Sequence, residues 1–178
     1  MDVAIDARLP DLGSEPNLAQ VLPGTDGGLT IDARLKLDPA ADFAIDFDGR
    51  VTGDGLRLPG VSAGRLDVRG RVRGTLPAPS ADVTVDVQNL VAGDLRVARA
   101  DLSVSGGSAT GDRGTYRIRG EVDGSLPQAN ADSTIDLVAQ VDPDGVTVDG
   151  RAEVRGLYDA PIVAELDSVR YSPSGGVR

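Results

Sequence analysis

Gly64–Val87 reads GRLDVRGRVRGTLPAPSADVTVDV, and Gly114–Leu137 reads GTYRIRGEVDGSLPQANADSTIDL. The two stretches align at an offset of 50 residues without a gap, and 11 of 24 positions are identical. Chance matching at this composition gives about two or three. Within each copy the period is two. Leu66, Val68, Gly70, Val72, Gly74 and Leu76 share one face, and Arg65, Asp67, Arg69, Arg71, Arg73 and Thr75 share the other. In the second copy Tyr116, Ile118, Gly120, Val122, Gly124 and Leu126 oppose Thr115, Arg117, Arg119, Glu121, Asp123 and Ser125. Strict alternation is the signature of a strand with one buried face, whereas a helical period would mix the two sets.

The same rule extends outward from the repeat. Apolar faces are formed by Val3, Ile5, Ala7 and Leu9; by Leu29, Ile31, Ala33, Leu35 and Leu37; and by Phe43, Ile45 and Phe47. Further on come Ala81, Val83, Val85 and Val87; Ile135, Leu137, Ala139 and Val141; and Val146, Val148, Ala152 and Val154. Between Val97 and Leu102 the parity slips by one residue, which predicts a bulge or tight turn. A degenerate third copy, VRGLYDAP at Val154–Pro161, precedes an alternating run over Ile162–Val169, and IDARL occurs at both Ile5–Leu9 and Ile31–Leu35. A period near 50 residues suits a unit of three or four strands. The chain divides into sub-repeats of about 1–28, 29–63, 64–113 and 114–178 within one segment. Pro10–Gly28 breaks the pattern, and one short helix is expected near residues 14–22, with Ser14 as its cap and Leu18, Val21 and Leu22 facing inward. Both ends of the chain fall in strand patterns, which leads to the expectation that it is a segment of a longer protein.

Composition narrows the chemistry. Cysteine and histidine are absent, which removes cysteine nucleophiles, histidine-based triads and the usual zinc ligands. The net charge of −10 disfavours a phosphate backbone as partner. Aromatic residues are only 3% of the chain, so a thin aliphatic layer fits better than a bulky globular core. No cofactor and no metal site is expected, and no catalytic residue is singled out. The acid pairs Asp46 with Asp48, Asp82 with Asp86, and Asp142 with Asp144 fall on the outer face or in a turn, where solvation accounts for them. Arg65, Arg69, Arg71 and Arg73 are expected to pair with Asp on neighbouring strands, with anionic lipid heads as the alternative. Gly70, Gly74, Gly120 and Gly124 lie on the inner face. They either let inner faces approach closely or leave room for a ligand.

A sheet with one apolar face cannot leave that face bare in water. It folds over, pairs with a second sheet or holds apolar cargo. Units reading VRGTLPAPSADVTVDV, VDGSLPQANADSTIDL and VRGLYDAPIVAELDSV share a Gly, a short link, a Pro turn and a new alternating strand. Together with LPGTDGGLTIDARLKL they resemble the repeats of the TamB family, the inner-membrane-anchored component of the translocation and assembly module, and the AsmA-like envelope proteins. The resemblance implies an elongated all-β sheet folded into a U-shaped groove, the β-taco, with a hydrophobic inside. It implies a periplasmic location, phospholipid as cargo or a role in outer-membrane assembly, and an outer-membrane barrel of the TamA type as partner. The residues here show no membrane anchor and no barrel-binding domain, so only groove lining carries over. The expected lining is Ile31, Leu35, Phe43, Ile45, Phe47, Leu66, Val68, Val72, Val83, Val85, Tyr116, Ile118, Val122, Ile135, Leu137, Val146, Val148 and Val154. The alternatives are a closed, dry β-solenoid or sandwich stalk of a surface adhesin and, less favoured, an enzyme on a β scaffold.

Overall fold

The computed structural model describes residues 2–14, 24–38, 44–75, 78–108, 113–127, 129–172 and 176–177. The alternating segments form strands β1 (Asp2–Leu9), β2 (Asp26–Asp38), β3 (Ala44–Leu58), β4 (Val61–Gly74), β5 (Ser80–Ala92) and β6 (Leu95–Gly107). They continue as β7 (Gly114–Leu126), β8 (Ala129–Asp142), β9 (Gly145–Arg155), β10 (Ile162–Ser172) and the short β11 (Gly176–Val177). All lie in one antiparallel sheet, in sequence order, each paired with its neighbour in the chain. At the usual strand spacing the sheet extends about 48 Å from edge to edge. The only helical element among the described residues is a 3-10 turn at Leu12–Ser14. Apart from Ser14, the helix expected near 14–22 lies outside the described residues, as do Leu18, Val21, Leu22 and Phe43.

The repeat unit contains three strands, because β4 and β5 of the first copy correspond to β7 and β8 of the second. An odd number inverts each copy. In a strand-by-strand meander β4 and β7 run in opposite directions, so equivalent Pro links fall on opposite margins of the sheet.

The copies also differ in register. In the second, Leu126 pairs with Ala129 across a two-residue turn, and Tyr116 pairs with Ala139. In the first, Arg73 pairs with Ser80 and Leu66 with Val87, a slip of two residues. The cause lies at Pro79, which occupies the position of Ala129. The residue after a two-residue turn donates its N–H back to close the turn, and proline has none to give. A slip of two keeps every side chain on its own face, so the apolar pattern survives. The released segment is put to use. Ala78 is fully buried, its carbonyl accepts a bond from the Ser108 N–H at 3.1 Å, and the Tyr116 hydroxyl donates to the Pro79 carbonyl at 2.5 Å.

The parity slip expected near Val97 appears as a register shift between Val97 and Arg99 in the β6–β7 ladder. Opposite it, Asn89 on β5 adopts a positive φ of 54°, a left-handed conformation that Asn tolerates better than most residues.

A compact chain of this mass exposes about 8,100 Å². This chain exposes 11448 Å². Among the described residues only six apolar ones are buried (Leu12, Ala33, Ala78, Val97, Ala100 and Ala139), and four of these are alanines. The fold is therefore an open sheet without a closed core between layers.

Candidate functional site

The ladders assemble the apolar positions into rows that cross the sheet. One runs through Val3, Leu35, Phe47, Val72, Ala81, Gly106, Tyr116, Ala139, Val148 and Val169. The next passes through Ile5, Ala33, Gly49, Gly70, Val83, Val104, Ile118, Leu137, Gly150 and Leu166. A third contains Ile31, Val68, Val85, Leu102 and Ile135, and a fourth contains Leu66, Val87, Val122 and Val154. Because side chains alternate between faces, directly opposed residues share a face; the first three rows stay apolar from β1 to β10, and the fourth is interrupted by Ser133 on β8.

Every expected lining residue within the described chain lies on this face. Ile45, opposite Leu37 and Gly74, extends it at one margin, and Val146, opposite Val141, extends it at another. All seventeen are half-buried, neither closed off nor fully exposed. That is the burial expected when neighbouring strands flank a side chain and no second layer covers it. Leu102 and Val104 belong to the strip as well, although the sequence did not single them out as lining. The bulge beside Val97 hid them, because it reverses parity just before their strand joins the pattern.

The inner-face glycines are not vacant pockets. A Cβ on Gly120 would lie 2.3 Å from the Leu102 Cδ2, one on Gly70 3.0 Å from the Val83 Cγ2, and one on Gly49 2.7 Å from the Ala33 Cβ. Neighbouring side chains on the same face of the sheet lean over these glycines and fill the space, and among the described residues no second inner face approaches them. Gly124 is crowded by backbone, with the Ala131 carbonyl oxygen 3.2 Å from a Cβ there.

The opposite face is charged and knitted together. Arg71 bonds to Asp48 at 2.7 Å, Arg73 to Asp46 at 2.9 Å, and Arg117 to Asp136 at 2.6 Å, all between adjacent strands. Arg69 instead reaches Asp67 on its own strand at 3.3 Å, and Arg65 makes no ion pair among the described residues. Across β4–β7 four acids stand directly opposite one another: Asp67, Asp86, Asp101 and Glu121. Such opposition is destabilising unless cations intervene. Arg50 and Arg69 do so at Asp67, and Arg99 lies 2.5 Å from Asp101 and 3.7 Å from Asp86. The Arg50 guanidinium holds the Asp67 carboxyl below its usual range against the opposing effect of burial, and Arg99 does the same for Asp101. Of the acid pairs, Asp46 and Asp48 are engaged by arginines, and Asp142 accepts the Asp144 N–H at 2.8 Å in the turn. Shallow concavities of about 810 and 510 Å³ lie on this charged face. The larger is lined by acids (Asp46, Asp48, Asp82) and bases (Arg34, Lys36, Arg71) in near balance, which gives it little net attraction for an ion of either sign.

The chemistry on offer is thus an extended aliphatic surface on one side and a net acidic face laced with ion pairs on the other. No family model matches the chain, and neither a curated protein nor a solved structure matches it.

Proposed function

We propose that the chain is a TamB-like β-groove segment whose apolar face shields phospholipid acyl chains from water. The observation that carries this reading is the continuity of three apolar rows across ten strands, with no protein layer over them among the described residues. Sheathing an acyl chain would gain about 0.8 kcal/mol per buried methylene. The mechanism is passive: the strip offers a path without a discrete site, and the charged face keeps the scaffold in water. Curling of the sheet into a U would bring both halves of the strip around the cargo. The same reading places the chain in the periplasm, attached to the inner membrane and partnered with an outer-membrane barrel of the TamA type through parts of the protein beyond this chain. The bare face counts against the dry adhesin stalk, which requires interdigitated inner faces.

The test is lipid extraction and mass spectrometry of the purified chain. Phospholipid is expected to co-purify, and Ile118→Asp or Val122→Asp in folded protein is expected to reduce it severalfold. Unchanged occupancy in a variant with a native circular dichroism spectrum rejects the conduit.

A further inference from the structure

The hairpins of the meander turn at two opposite margins of the sheet, and the margins differ in chemistry. At one, the strands end in pairs that are mostly polar or small: Asp38 with Ala44, Arg73 with Ser80, Gly107 with Thr115, and Asp142 with Gly145. At the other they end in Leu58 with Val61, Ala92 with Leu95, and Leu126 with Ala129. The link from β9 to β10 adds Tyr158 and leads into Ile162 at this same margin. Six of the nine large apolar side chains exposed among the described residues stand here, with Leu58, Val61, Leu95 and Leu126 each 38% to 45% exposed and Tyr158 72%. A strand added to either edge of the sheet would leave these tips as they are, because each belongs to an internal hairpin.

A bulge creates the arrangement. Simple alternation along β3 would put Leu58 beside Asp46 and Asp48 on the charged face. Instead β3 gains one residue against β2, where Asp26 pairs with Arg57 but Gly28 with Asp54, and Gly55 within the extra step takes a positive φ of 60°. Leu56 thereby returns to the apolar face, where its Cδ1 lies 2.5 Å from the position of a Cβ on Gly53. Leu58 follows two residues on, and Val61, Ala92 and Leu95 share its face through the ladders. The apolar strip therefore runs out to the turn tips at this margin.

We infer that this margin is a membrane-contact rim, at which the turn tips insert into the interface of a phospholipid bilayer. Three observations favour a lipid surface over a protein partner. The tips stand two strands, or about 10 Å, apart. A protein would need a separate socket for each, whereas acyl chains part at any spacing. Exposed arginines lie directly behind the tips: Arg57 before Leu58, Arg96 after Leu95, and Arg155 before the link that carries Tyr158. Against Asp94 and Asp159 in the same turns they leave a small cationic excess, which suits phosphate headgroups. Tyr158, the most exposed of the six, is the residue type whose ring and hydroxyl match the level of the headgroups. The contact uses the turns, so it stands whether or not the strip carries acyl chains.

The experiment uses the native absence of tryptophan: Leu126→Trp and Tyr171→Trp report on the two margins. Tyr171 is 51% exposed and lies opposite Val146, beside the turn between β8 and β9. The probe is a vesicle of phosphatidylcholine with about one fifth phosphatidylglycerol. The emission of Leu126→Trp is expected to shift to the blue and to be quenched by brominated acyl chains, while that of Tyr171→Trp stays unchanged. In flotation with the same vesicles, Leu58→Ser and Leu95→Ser are each expected to weaken binding about fivefold, and the pair about twenty-fivefold. Tyr171→Ser should leave binding unchanged. The replaced side chains are already near half exposed, so circular dichroism should show the fold intact. Equal quenching at both margins, binding indifferent to Leu58 and Leu95, or no flotation at all overturns the proposal. So does a concentration-dependent self-association in sedimentation that Leu58→Ser abolishes, because the rim would then be a contact between copies.

Discussion

Asp67→Asn tests whether the ionic lattice holds the charged face together. Asp67 is only 4% exposed although it sits on the charged side, because two guanidiniums cover it. Arg50 approaches in a bidentate manner, with its Nε 3.0 Å from Oδ1, while the bonds from Arg69 are longer, at 3.3 and 3.5 Å. The amide keeps one acceptor and loses the charge, so one charge-assisted bond is lost and the other weakened, at about 2 kcal/mol. Arg50 is half exposed, which places the loss toward the low end. Relief of the opposition to Asp86 returns about 0.5 kcal/mol. The net cost is about 1.5 kcal/mol, or roughly 3–6 °C in Tm for a chain of this size. The assay is thermal unfolding by circular dichroism across a pH series. Arg50 lowers the folded-state pKa of Asp67 below its ordinary 3.8, so the contribution is fully present above that value and disappears as pH falls through the folded one. The two proteins should therefore differ by a constant amount near neutrality and converge in acid. A gap that persists at the lowest pH, or no gap near neutrality, refutes the reasoning.

Two further outcomes follow from the register. Ala129→Pro removes the N–H that closes the Leu126–Ala129 turn and should impose on the second copy the slip seen in the first. The cross-strand NOE between Tyr116 and Ala139 should give way to one between Tyr116 and Leu137, at a cost of about 1–3 kcal/mol measured by urea unfolding. Gly107→Ala should destabilise more than Gly60→Ala. Both positions have positive φ (115° and 79°), but a Cβ on Gly107 meets the Pro79 carbonyl oxygen at 2.2 Å, whereas Gly60 has open space around it. The first should cost about 3 kcal/mol and the second about 1 kcal/mol in the same assay.

The strands and their faces were legible in the sequence because side-chain direction along a strand is local: Leu66, Val68 and Val72 declare one side by spacing alone. The same locality exposed the parity slip near Val97. It also identified seventeen described lining residues that the ladders place on one face. The two copies of the repeat looked equivalent, and they are not. Their register depends on one N–H that Pro79 lacks and Ala129 supplies, and on whether Tyr116 can reach the carbonyl that the slip delivers. Such pairing joins residues far apart in the chain, so alternation constrains it only to steps of two.

By itself, the sequence determined that this protein is an all-β chain with an apolar and a charged side, since a period of two admits no other regular structure. Only the tertiary structure decided that the repeat spans three strands and inverts at each copy, that every strand pairs with its chain neighbour in one open sheet, and that the inner glycines are overlain by Val83, Leu102 and Ala33. The physical reason is that a strand's pattern states which side seeks cover, whereas what covers it depends on where the other strands lie.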